Sequence, residues 1–169
     1  KITRPGDNLE EVLLTEIASA KKTIFLAVQE LRLPLIAAAL VQKKKQGVDV
    51  RVVLEHDYNF TVMTQREGEE DQYEASKLRD LRALVDINGD GSFSKEELET
   101  RDAIYMLQVG KVPVIDDTFD NSHGSGLMHH KFMIVDGKTT VVSSANFTLS
   151  CVHGDITERA SRGNANSMV

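Results

Sequence analysis

The segment KFMIVDGKTTVVSSAN, residues 131 to 146, sets Asp136 and Gly137 between two runs rich in β-branched residues. Asp-Gly suits the positive φ angles at the centre of a tight hairpin, so the chain must carry an antiparallel strand pair here. With those two residues as the loop, Val135 pairs with Lys138, and His129 is expected opposite Ser144. His129 and Lys131 then share a face, as do Ser144 and Asn146. An imidazole, an ammonium, a hydroxyl and a carboxamide on one patch suit a tetrahedral anion, and phosphate is the natural occupant. Asp136 lies at an odd separation from His129 and Lys131 and is assigned to holding the turn. His130 points to the opposite face of its strand.

Upstream, GDNLEEVLLTEIASAKK has Leu9, Val12, Leu13, Ile17 and Ala20 at helical spacing, with Asp7 as the expected N-cap. TIFLAVQE (23 to 30) and VDVRVVLE (48 to 55) read as buried strands, joined by the helix LPLIAAALVQKKKQG. Strand, helix and strand with short connections make a βαβ unit. With the hairpin added, the expected fold class is α/β, a mixed and largely parallel sheet flanked by helices. The 169 residues suit a single domain.

The net charge of −6 is unevenly spread. Residues 57 to 102 hold 13 acidic and 6 basic side chains, which leaves 13 acidic and 14 basic elsewhere. The acidity belongs to an insert over residues 60 to 102. Within it, DINGDGSFSKEE (86 to 97) fits the twelve-residue EF-hand loop. Asp86, Asn88 and Asp90 occupy positions 1, 3 and 5, Ser92 offers its carbonyl at 7, and Glu97 stands at 12. Gly91 supplies the turn. The expectation is a structural Ca2+, with the exit helix running on unbroken through EELETRDAIYMLQ into the core.

The near-neutral remainder has no broad basic stripe, although KKKQG (43 to 47) adds local charge. No apolar run reaches the roughly 20 residues a membrane-spanning helix needs. Cys151 is the lone cysteine and has no internal disulfide partner. The chain lacks an initial Met and closes on GNANSMV, which reads as the start of another strand, so a piece of a longer protein is expected.

His129, Lys131 and Asp136, followed by SSAN ending at Asn146, resemble the H-x-K-x4-D and G-S-x-N signature of the phospholipase D superfamily, with Ser143 at the first Gly. IFLAVQ and GVDVRVVLE also look like that family's N-terminal half-domain. The resemblance implies a phospholipase D-like fold and a phosphodiesterase acting on nucleic acid or phospholipid. It makes His129 the nucleophile of a phosphohistidine intermediate, with Lys131, Asn146 and Ser144 binding oxygens and no catalytic metal. A second histidine must protonate the leaving oxygen, because one imidazole cannot attack and act as acid in the same step. Only one motif is present, so a homodimer mate or a second half-domain is the expected partner, with the homodimer favoured. His123 is a lesser candidate to line the pocket. The dimeric endonuclease branch carries a glutamate that orients the nucleophile; Asn166 stands there instead, with Glu158 as a possible substitute. The alternatives are phosphatidyl transfer by the same intermediate, or a non-catalytic calcium-binding half-domain.

Overall fold

The computed structural model describes residues 8–64, 72–121, 126–153 and 164–169, with backbone alone for 72–75. Helix α1 (Leu9–Ser19) is opened by the Asn8 side chain, which accepts from the Glu11 amide, so Asn8 and not Asp7 is the cap; Asp7 lies outside the described residues. Strand β1 (Thr23–Val28), helix α2 (Pro34–Lys45) and strand β2 (Asp49–Leu54) form the expected βαβ unit, with β1 and β2 parallel. Helices α3 (Gln72–Val85), α4 (Lys95–Arg101) and α5 (Ala103–Val109) precede β3 (Val114–Asp116), which pairs parallel with β2. Strands β4 (Lys131–Val135) and β5 (Thr139–Val142) close the hairpin, and α6 (Leu149–Val152) follows. The sheet runs β3-β2-β1-β4-β5, with β1 and β4 antiparallel, so it is mixed as the pattern indicated.

The strands are not buried on both faces. Ile24, Leu26 and Val28 of β1 and Val50, Val52 and Leu54 of β2 are buried against Leu13, Ile17, Ile36, Leu40, Ile104 and Leu107 from α1, α2 and α5. The alternate positions Phe25 and Arg51 are exposed, and the Arg51 guanidinium lies over the Phe25 ring. An apolar run does not reveal such one-sided burial, because Phe and Ala satisfy either environment.

The hairpin register also differs from expectation. Val135 pairs with Thr139, not Lys138, which sets Met133 opposite Val141 and leaves Asp136, Gly137 and Lys138 between the strands. Asp136 and Gly137 do take positive φ angles, 53° and 64°. The side chains decide the slip: the expected register would turn Thr140 inward and Val141 outward, whereas Val141 is buried and Thr140 exposed. Asp136 then reaches across to the start of β1. Its Oδ1 accepts from the amides of Lys22 (2.7 Å) and Thr23 (2.9 Å), and its Oδ2 from that of Lys21 (2.9 Å). These amides, Thr23 first, hold the carboxyl below its ordinary range.

The insert packs as a smaller cluster of Val62, Leu81, Val85 and Leu98. Its exit helix is broken, against expectation, at Asp102, whose extended backbone ends α4 and whose side chain caps α5. One carboxylate oxygen accepts from Ile104 and Tyr105, and the other from the Val62 amide (2.7 Å). Aspartate competes for backbone donors in this way, which favours a cap over a helix interior. No helix among the described residues is long and apolar enough to cross a membrane.

Because the pKa of Asp136 is depressed, its stabilising effect is complete above the unfolded value near 3.8 and is lost as pH falls through the lower folded value. Asp136→Asn is expected to lower the Tm at pH 7 by about 2–6 °C. The gap to wild type should close in thermal scans below that range.

Candidate active site

Strand β1 ends at Val28 beside Lys131, the first residue of β4. The chain beyond β1 is woven into the chain beyond β5. The Gln29 amide donates to the His130 carbonyl, Phe147 to that of Glu30, and both Arg32 and Leu33 to that of Phe147. Two polar side chains from different elements are thereby aimed at one point. Lys131 Nζ and Asn146 Nδ2 each donate to Gln29 Oε1, both at 3.2 Å. Lys131 Nζ also donates to the His129 carbonyl at 3.0 Å. Lys131 lies on the covered face with Met133 and Val135 and is 6% exposed. Burial pushes its ammonium below the usual lysine range, opposed in part by the nearby Cys151 thiol.

Asn146 Oδ1 is buried and has no hydrogen-bond partner. An orphan acceptor beside an ammonium and an amide donor is costly unless something occupies the site. The structure therefore brings Lys131 and Asn146 together, with the exposed His129 joined to them through its backbone. Ser144 stands apart: its hydroxyl donates to Asn166 Oδ1 (2.9 Å) and accepts from the Ser167 amide (3.0 Å). The slipped register and the end of β5 at Val142 explain this, because His129 no longer faces Ser144 and the alternation stops before it.

Asn166 is engaged at both ends, with its Nδ2 donating to the carbonyls of Cys151 and Asn164. It supports Ser144 and the turn after α6. Asp136 sits at the far end of β4, about 16 Å along a five-residue strand from Lys131. His130 is exposed, with its ring edge-on to Phe132. His123 and Glu158 fall outside the described residues.

Sequence reading missed Gln29. Its signal was position, since it directly follows the last residue of a parallel strand, where α/β sheets gather ligands. Buried Glu55 lies at the same edge, with its amide 3.4 Å from the Gln29 carbonyl. Burial, and next the charge of Asp57, raises its pKa.

In the loop 86–97, Asp86 accepts from the amides of Gly89, Asp90 and Gly91, and Asp90 Oδ1 from that of Ser92. The Asn88 carbonyl oxygen accepts from the Asp90 amide, and its Nδ2 donates to Asp90 Oδ2. Glu97 accepts from the Ile87 and Ser94 amides and the Ser94 hydroxyl, which closes the second and last positions of the loop on each other. Gly89 and Gly91 take positive φ angles of 71° and 78°. Among the described residues no three His, Cys, Asp or Glu side chains gather as a metal-holding group. The oxygen-only donor set is nonetheless of the type calcium takes.

A family model described as cardiolipin synthase, PLD-like domain, matches residues 13–156. Among solved structures, Nuc from Salmonella typhimurium, a phospholipase D family member, is 22% identical with a TM-score of 0.53. That match covers 94% of this chain and 72% of Nuc. The phosphatidylserine synthase of Haemophilus influenzae is 16% identical with a TM-score of 0.55; 96% of this chain is covered, against 31% of the synthase. A search of curated proteins gave no match.

Removing a partly desolvated charge and replacing it with an apolar side chain of similar length relieves a burial cost. Lys131→Met is therefore expected to melt at or above the wild-type temperature while losing inorganic phosphate binding by about tenfold or more. Calorimetric melting and phosphate titration check the two together.

Proposed function

The chain belongs to the PLD-like domain family, and on that premise we propose that it is a phosphodiesterase hydrolysing phosphodiester bonds in nucleic acid or phospholipid. The convergence of Lys131 Nζ and Asn146 Nδ2 on one oxygen carries the reading. Two donors from separate elements, fixed on a single acceptor, are set to share a phosphoryl oxygen and to stabilise the charge that grows on it during attack. His129 Nε2 attacks phosphorus, a phosphorus–nitrogen bond forms, and the bond to the departing alcohol breaks. A second imidazole protonates that alcohol and then takes a proton from the water that cleaves the intermediate. That group comes from another copy of the chain or from a second half-domain. Support for a partner is the exposure of His129 at the surface, where a facing histidine could approach. Ser144 acts one step removed, by bracing the segment after β5 against Asn166.

The loop from Asp86 to Glu97 is proposed to bind calcium as a structural ion. Asp86, Asn88, Asp90, the Ser92 carbonyl and Glu97 would hold it, with Asp90 and Glu97 exchanging amide partners for the ion. The ion would brace α4, which abuts α5 through Asp102, so the gain would be in stability rather than chemistry.

His129→Asn should lower hydrolysis of bis-p-nitrophenyl phosphate by about 10³-fold or more, with the protein assayed in its associated form. Equal rates for variant and wild type would remove the nucleophile assignment. Saturating calcium should raise the Tm by about 5 °C and EDTA should reverse it. A melting curve indifferent to both would remove the ion.

A further inference from the structure

A cavity of about 350 Å³ opens directly beside Asn146, and one of its walls belongs to the insert. Lys77 and Asp80 of α3 face Glu30 from the β1 end and Ser150 and Cys151 of α6 across it. Lys77 bonds Glu30 Oε2 at 3.0 Å, and Arg32 approaches Glu30 Oε1 at 3.5 Å. Glu30 and Arg32 are both buried. The cavity thus begins at the residue whose amide shares Gln29 with Lys131.

We infer that this cavity, completed by α3, is the binding site for the alcohol portion of the phosphodiester, and that it takes a small, polar, net-neutral alcohol such as glycerol or an amino alcohol. The inference rests on the phosphodiesterase reading and narrows its substrate. Three properties of the lining lead there. Its charged side chains are two anions, Glu30 and Asp80, and two cations, Arg32 and Lys77, so a second phosphate of a nucleic-acid strand would meet carboxylates as well as ammonium groups. Among the described residues no aromatic side chain, the usual platform for a nucleobase, lines it. Its uncharged polar side chains, Ser76, Asn146, Thr148, Ser150 and Asn164, offer donors and acceptors together, which a polyol or amino alcohol matches.

Cys151 provides a readout that does not depend on turnover, since it is the lone thiol of the chain and lines the cavity. Its alkylation by iodoacetamide, followed by mass, should slow at least about threefold with millimolar glycerophosphoglycerol or glycerophosphoserine and stay unchanged with a thymidine dinucleotide. Ser150→Phe, an exposed position on α6, should abolish that protection and leave the melting temperature unchanged. Equal protection by both ligand types, protection by neither, or protection that survives Ser150→Phe would overturn the inference. Wild-type protein that cleaves no diester yet shows selective protection would overturn the phosphodiesterase reading and leave the cavity assignment standing.

Discussion

The clasp between Asp136 and the amides of residues 21 to 23 fixes where the hairpin lies, and the position of Lys131 at the far end of β4 follows from it. It joins the turn of one antiparallel pair to the start of the central parallel strand, residues more than a hundred apart in sequence. Once that end is anchored, the pairing of β4 with β1 runs without slack from Val135 to Lys131. An aspartate in the hairpin turn thus serves the candidate site at a distance, through register.

At the other end the molecule tolerates a buried ammonium. Lys131 occupies the position on the covered face where the core gives out, and carbonyl oxygens of Gln29 and His129 accept its protons. A lysine so placed is held still and is less hydrated than a surface lysine, which suits it to gripping a phosphoryl oxygen and weakens its contribution to folding. Asn146 is caught in the same net through Gln29, and its unmatched oxygen marks the place where the protein's own hydrogen bonding stops. Glu30, Arg32 and Phe147, interlocked by backbone bonds, make that end of the sheet stiff enough to hold such an arrangement.

The insert is tied to this edge by Lys77, which reaches Glu30 beside the candidate site, while Asp102 closes the insert's exit onto its entry through the Val62 amide. Its own cluster of Val62, Leu81, Val85 and Leu98 is small. A segment that sequence composition marks as foreign to the core thereby supplies one side of its cavity.

Sequence alone determined the α/β class, the βαβ unit and the hairpin, and it singled out His129, Lys131 and Asn146 as candidates, because periodicity, the Asp-Gly turn and the motif spacing are local properties. Composition marked out the acidic stretch for the same reason. The register of the hairpin, the break at Asp102, the one-sided burial of the strands and the turning of Ser144 toward Asn166 were decided only in three dimensions. Each depends on which of several acceptable partners a residue meets: Val141 against Thr140 for the core, Val62 for Asp102, the amides of residues 21 to 23 for Asp136. Gln29 shows the same division most sharply, since its place after a strand is the whole of its local signal, and only the folded chain sets its one oxygen between a lysine and an asparagine more than a hundred residues away.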